Sequence, residues 1–311
     1  GWFSRMAGTR VLLTSALMLS VRAPRPRPAP SEANGSTINQ PIYYFPHCPK
    51  TGGSSFSTDL LALIKKRRRA GIRACARARH MNRCWSKAFY ERTDTPMDLL
   101  REAAESGRPG ACNYATCEMK LRPALTRVGV QLDSPRLRLL LLIRSPESHV
   151  VSMYGHIMAR STDPAKRMPF SSWLRLKQRE TGVHNITGYH PYNMQVAHLS
   201  SMGGNGHLPA DAMAKALEAI DKAFHVGVLE HYRAQFCLAA HRIWPHSAVP
   251  KPLCECGSAG NGALTHKTHG TNVKSWVPHV GRTDRRVIEQ LTRKDARLHS
   301  NATQRFLRDV R

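Results

Sequence analysis

The stretch from Tyr43 to Phe56, Tyr-Tyr-Phe-Pro-His-Cys-Pro-Lys-Thr-Gly-Gly-Ser-Ser-Phe, constrains this chain more than any other. Its aromatic opening reads as a buried strand. A loop follows with Lys50, Thr51, Gly52, Gly53, Ser54 and Ser55. Phe56, Leu60, Leu61 and Ile64 then recur at helical spacing, which predicts a helix. Strand, glycine loop and helix N-terminus together favour an anion, because backbone N–H groups converge there and the helix dipole is positive. Lys50 adds a full charge, and Gly52 and Gly53 permit close approach of backbone to ligand. The order is not that of a Walker loop, in which Lys follows the glycines. An ordinary Gly-Gly turn between strand and helix is the alternative.

Leu137 to Ile143 is a short, almost wholly apolar run after Ser134-Pro135. Such a run suits a parallel strand buried on both faces. Ligands of open α/β sheets bind beyond the carboxyl ends of the strands. Arg144 stands at such an end, and Ser152 falls eight residues on, in the helix that should follow. A strand-end salt bridge is the plainer role for Arg144. Phe224 to Glu230 reads as another strand. Helices are expected at Met97–Ser106, at Asp211–Ala223 with Met213, Leu217 and Ile220 on one face, and at Tyr232–Ile243. A last helix should run to about Leu307, with Thr292 and Asp295 placed as a capping box. Ala111 to Val130 leaves helix and strand both open.

Two of these motifs resemble the Golgi carbohydrate sulfotransferases of the heparan sulfate 2-O and 6-O type. Pro49-Lys50-Thr51-Gly52-Gly53-Ser54-Ser55-Phe56 is similar to their 5′-phosphosulfate loop. Arg144, Pro146 and Ser152 match their Arg-Asp-Pro strand end and the Ser eight residues after the Arg. Ser145 replaces the usual Asp, and His149 stands where Arg is common. Looser likeness continues at Asn193-x-Gln195, at Val226-Gly227-Val228-Leu229-Glu230 and at the Thr292-x-x-Asp295 start, stretches expected to be structural. The resemblance implies a three-layer, P-loop-like α/β domain with a central parallel sheet. It implies 3′-phosphoadenosine 5′-phosphosulfate as sulfuryl donor, a carbohydrate hydroxyl as acceptor, and no metal. Lys50 would neutralise developing charge. Thr51, Gly52, Gly53, Ser54 and Ser55 would hold the 5′-phosphate, and Arg144 and Ser152 the 3′-phosphate. Lys267, in His266–His269, would be a further 3′-phosphate contact. The family's 2-O enzymes carry a His as general base in the stretch that corresponds to Ala111–Met119, and no His occurs there. Glu118 is the nearest ionisable substitute, with a helical surface Glu as its plainer reading, and His80 could reach the site from elsewhere.

Composition widens the partner question. The net charge of +26 comes from 47 Lys and Arg against 21 Asp and Glu. Such a field favours polyanions without choosing among nucleic acid, anionic membrane and acidic polysaccharide. The basic run Lys65–Arg69, with Arg73, Arg77 and Arg79, reads equally as a polyanion-binding surface or a solvated helix face. The eight cysteines suit a few disulfides of undetermined connectivity. Cys254 and Cys256 with His266 and His269 depart from structural-zinc spacings. The apolar run Val11–Val21 is shorter than the roughly 20 residues a spanning helix needs, which points to a signal peptide or signal-anchor over residues 1–22. A Pro/Arg-rich stem should cover 23–40 and the catalytic domain 41–311. Sequons at Asn34, Asn185 and Asn301 favour a secretory route. With the resemblance, they imply a Golgi membrane protein with a luminal domain, whose acceptor is an anionic polysaccharide or glycan rather than nucleic acid. A nucleotide-dependent kinase and a non-enzymatic polyanion binder are the other classes. The kinase reading lacks a Walker Lys-Ser/Thr and an evident magnesium carboxylate.

Overall fold

A computed structural model describes residues 40–66, 72–75, 96–106, 111–160, 168–181, 190–200, 208–245, 254 and 278–311. They belong to one compact unit, Ile38–Arg311. The expected leader and stem, the basic run past Lys66, His80, Lys267, Asn34 and Asn185 lie outside the described residues.

The chain is an α/β protein with a wholly parallel four-stranded sheet between helices. The strands are β1 (Ile42–Pro46), β2 (Tyr114–Cys117), β3 (Leu137–Ile143) and β4 (His225–Val228). Both faces of β3 are apolar because both are covered. Leu139, Leu141 and Ile143 face one helical layer, while Leu140 and Leu142 face the other. On the second face α1 (Gly53–Lys66) supplies Phe56, Leu60, Leu61 and Ile64, and α8 (Tyr232–Ile243) supplies Phe236 and Ile243. On the first face lie α2 (Pro96–Ser106), α3 (Leu121–Val128), α6 (Met194–Ser200), α7 (Ala212–Lys222) and α10 (Arg293–Val310). Each buried Leu or Phe contributes about 1.5–3 kcal/mol. A satellite core joins α4 (Pro146–Arg160), α5 (Phe170–Glu180) and α9 (Arg282–Leu291) through Met153, Trp173, Leu174 and Ile288.

The sheet order β2-β1-β3-β4 creates a switch point. From β1 the chain goes outward to β2, and from β3 it goes outward the other way to β4. The connections after β1 and β3 therefore diverge and leave a crevice at their carboxyl ends, where ligands of such sheets bind.

The structure resolves Ala111–Val130 into β2 and α3, with Glu118 immediately past the strand rather than on a helix. On α7 the buried line is Ala212, Ala216, Ala219 and Ile220, with Met213 and Leu217 only flanking it. Small side chains let this helix lie close to the core, a distinction that apolar spacing does not carry. Among the described residues no helix is long and apolar enough to cross a membrane.

The last helix is not capped by its own residues. Thr292 turns its hydroxyl back to the Ile288 carbonyl at 2.7 Å. Asp295 instead caps the neighbouring α6, accepting from Gln195 N at 3.2 Å and Val196 N at 2.9 Å. Asn193, at φ 42°, returns the favour: its Oδ1 accepts from Lys294 N at 2.8 Å and Asp295 N at 3.3 Å. Each helix start thus borrows its cap from the other, which locks α6 to α10. Asn193→Ala removes a cap and replaces a residue type that tolerates left-handed backbone with one that does not, so it should cost about 2 kcal/mol. Asn193→Gly removes only the cap and should cost roughly half as much. Urea unfolding of both variants checks this; equal losses would mean that the backbone conformation carries no strain.

Candidate functional site

The loop after β1 is a tight turn. Cys48 O accepts from Thr51 N at 3.4 Å and from Thr51 Oγ1 at 2.9 Å. Pro49 sits at the position that favours a fixed φ near −65°. Lys50 takes the next position at φ 66°, where Gly or Asn is usual. A lysine held there is strained by roughly 1–2 kcal/mol, and such strain concentrates at functional sites.

Residues of the second motif hold this turn in place. Arg144 Nη1 donates to the Lys50 carbonyl at 3.0 Å. His149 Nε2 lies 2.8 Å from the Pro49 carbonyl, so that nitrogen carries the hydrogen. Burial pushes His149 down to about 4, and the nearby Arg144 and Lys50 charges add to the effect, while the Pro49 bond opposes it. The imidazole is therefore neutral at pH 7. The two motifs, read separately in the sequence, form one structure at the β1/β3 crevice.

Arg144 itself is fixed through its backbone. Gln195 presents its side-chain amide as a strand edge would, accepting from Arg144 N at 2.9 Å and donating to Arg144 O at 2.8 Å. Gln195 is fully buried and belongs to α6, whose start Asp295 caps. Burial pushes Asp295 up to about 7, opposed by amide bonds from Val196, Gln195 and Met194. Burial also holds the Arg144 guanidinium below its ordinary value, with Glu230 opposing. Its Nε is buried with no hydrogen-bond partner among the described residues.

Glu230, just past β4, accepts from Ser145 N at 2.9 Å, at the start of α4. Burial pushes Glu230 up, but bonds from His299 and the Ser145 amide bring it down to about 2. Ser145, where the resembling family has Asp, uses its hydroxyl on Ser148 at 2.9 Å. Ser152 is half-buried on α4.

Gly52 and Gly53 are needed for contacts within the protein. A Cβ on Gly52, at φ 85°, would come within 2.4 Å of Leu229 Cδ1. A Cβ on Gly53 would come within 1.9 Å of His47 Cδ2. The close approaches anticipated for a ligand are thus made, at these two Cα atoms, by Leu229 and His47. Thr51 is fully buried, and its hydroxyl is committed to Cys48. The first turn of α1 contains no acidic residue, and the first backbone bond into the helix is Phe56 N to Gly52 O at 3.1 Å. The amides of Gly53, Ser54 and Ser55 come before that ladder and crown the helix.

Register places Glu118 beside His47: Pro46 pairs with Cys117, and His47 N donates to Cys117 O at 2.8 Å. The Glu118 carboxylate lies 3.6 Å from His47 Nδ1. Its side chain is 27% exposed against 3% for His47, so a partly exposed carboxylate is backed by a buried ring. His47 is stacked on Phe45. His198 lies nearby; burial pushes it down to about 3, with His47, Lys120 and His149 contributing. His47, His149, Gln195 and Glu230 are the site residues that sequence reasoning passed over. His47 and His149 lie inside the two motifs, while Gln195 and Glu230 fall in the looser stretches of likeness that were expected to be structural.

Cys75 is bonded to Cys112, and Cys237 to Cys254. His241 lies beside the second pair, whose sulfurs are taken up in the disulfide. Cys48 is a free, buried thiol. Asn301 lies within α10, half-buried, its amide donating to Arg297 O at 2.9 Å, rather than on a loop.

The chain matches no model of a known protein family and no curated protein.

The buried histidines set an acid limit. His149, His190, His198 and His225 fall from 6.5 to about 4, 4, 3 and 4. Below pH 6.5 the unfolded chain takes protons that the folded chain refuses, so stability is lost as pH falls towards 4. Asp295, raised from 3.8 to about 7, acts in the opposite sense over the same range. Four histidines against one carboxyl leave a net loss. Urea midpoints should fall between pH 7.5 and pH 5; a midpoint that holds or rises would refute this balance.

Proposed function

We propose that this chain is a sulfotransferase, moving a sulfuryl group from 3′-phosphoadenosine 5′-phosphosulfate to a hydroxyl of an anionic carbohydrate. The supporting observation is the contact, at the ends of the adjacent strands β1 and β3, between Arg144 and the strained Lys50 turn that leads into the α1 amides. The donor carries two anionic groups. The Lys50 turn and the amides of Gly53, Ser54 and Ser55 suit the 5′-phosphosulfate. Arg144 and Ser152, on the adjoining strand end and helix, suit the 3′-phosphate.

In the transfer, the acceptor oxygen attacks sulfur and the bond from sulfur to the bridging 5′-phosphate oxygen breaks. Adenosine 3′,5′-bisphosphate leaves. Lys50 neutralises charge that moves from the sulfuryl oxygens to the bridging oxygen, so its value is greatest in the transition state. Glu118 takes the acceptor proton, with His47 behind it restraining the carboxylate. The Arg144 and His149 bonds to the turn keep Lys50 aimed, which makes catalysis chiefly a matter of positioning. The disulfides Cys75–Cys112 and Cys237–Cys254 support a luminal, oxidising setting, where carbohydrate acceptors are made.

Lys50→Ala should reduce single-turnover sulfate transfer by about 10²–10³ while leaving affinity for adenosine 3′,5′-bisphosphate nearly unchanged. Lys50→Arg should rescue poorly, because a planar guanidinium is larger and differently aimed. Transfer at the parent rate by Lys50→Ala would end this reading. Arg144→Ala should lose both nucleotide affinity and rate, since it removes a phosphate ligand and one support of the turn. Ser152→Ala should lose affinity alone. Calorimetry with adenosine 3′,5′-bisphosphate separates these outcomes, and a preference for ATP with magnesium would instead favour a kinase.

A further inference from the structure

Helix α8 carries Cys237 and His241 four residues apart, a spacing that brings both side chains to one face. Cys254, from the segment beyond the helix, meets that face through the Cys237–Cys254 disulfide. The two sulfurs and a ring nitrogen of His241 all lie within 4.8 Å of one another. Among the described residues this is the one group of three such donors so close together. The sequence offers Cys256, His266 and His269 as zinc partners of Cys254; the fold sets Cys237 and His241 beside it.

Oxidised, the two sulfurs hold no metal, because the ligand is the thiolate. Access favours this pair for reduction. Cys237 and Cys254 are half-buried next to an exposed His241, whereas Cys75 of the other pair is buried in the core. Thiol–disulfide exchange needs a path to sulfur. Reduction by a small dithiol adds two electrons and two protons to the pair, which becomes two thiols while the reductant becomes a disulfide. The sulfurs then part to ordinary contact, about 3.8 Å, which is the edge of a tetrahedron with Zn–S bonds near 2.3 Å. Side-chain rotation supplies that movement. Two thiolates and an imidazole suit zinc, and three protein ligands leave the fourth position to water.

We propose that Cys237, His241 and Cys254 form a zinc site that the disulfide closes and reduction opens. Zinc enters as both thiols release their protons. Two Zn–S bonds and one Zn–N bond form, and water completes the coordination. The pair thus has two cross-linked states, a disulfide when oxidised and a metal bridge when reduced. Either state keeps Cys254 fastened to α8 and packed against the second core face. None of the three residues belongs to the Lys50 turn or the Arg144 strand end, so the site does not rest on the sulfotransferase reading.

The test uses the full chain, reduced with a phosphine, which does not compete as a thiolate ligand. Cobalt(II) is the probe, because zinc is colourless. The reduced parent should take up equimolar cobalt with a sulfur-to-cobalt charge-transfer band and the strong visible bands of tetrahedral cobalt, and zinc should displace it. The oxidised parent should show neither band. Cys237→Ser should abolish the spectrum, and His241→Ala should weaken cobalt affinity about tenfold or more. His241 is exposed and outside the disulfide, so His241→Ala should match the parent in its oxidised urea midpoint. Zinc should raise the urea midpoint of the reduced parent but not that of reduced His241→Ala, since only the folded chain gathers all three donors. Reduced Cys112→Ser should bind cobalt as the parent does. No spectrum in the reduced parent, an equal spectrum in the oxidised parent, or unchanged affinity in His241→Ala would each overturn the proposal. So would loss of binding in Cys112→Ser with binding kept in Cys237→Ser, which would put the metal at the other pair. If reduction alone unfolds the parent, zinc present throughout should keep it folded; equal unfolding with and without zinc would overturn the site as well.

Discussion

The Pro49-Lys50 turn depends on two hydrogen bonds that come from a hundred residues away. Arg144 holds one carbonyl and His149 the other. Without them, a lysine at φ 66° would relax towards ordinary backbone, since left-handed conformation is unfavourable for any residue with a Cβ. The rest of the fold serves this contact. β1 and β3 lie side by side, so their carboxyl ends deliver the turn and the arginine to one place.

Support for the contact runs outward in layers. Gln195 fixes the Arg144 backbone, Asp295 fixes the helix that carries Gln195, and Asn193 fixes the helix that carries Asp295. Every link is a buried or half-buried polar group satisfied by a partner distant in sequence. Such groups are costly when left unmatched, so the network tolerates few alternative arrangements. The C-terminal helix thereby bears on the geometry of a loop near the start of the domain, through named bonds rather than through general packing.

The same economy of acids explains the surface. Asp284 and Asp295 are withdrawn into caps and internal bonds, and Glu230 is committed to Ser145 and His299. Their carboxylates face inward, while the arginines of α9 and the start of α10 face solvent, where Arg285 meets Glu147 at 3.5 Å.

The strands β1 and β3, the helices α1 and α8, and the candidacy of Lys50 and Arg144 were legible in the sequence. These depend on local signals: apolar runs of strand length, helical spacing and a glycine loop between them. The strand β2 was not legible, because Tyr114–Cys117 is four residues long and has no pattern of its own. Nor were His47, His149 and Gln195 as members of the site. Each is a polar residue whose meaning comes from what burial brings against it, and the partners lie 50 to 100 residues off for Gln195 and His149. The capping of α10 shows the distinction most plainly. Thr292 and Asp295 have the spacing of a self-contained cap, yet the carboxylate serves α6 and the cap comes from Asn193. Spacing determines which groups can bond locally. Only the packing of two helix starts against each other determines which bonds form.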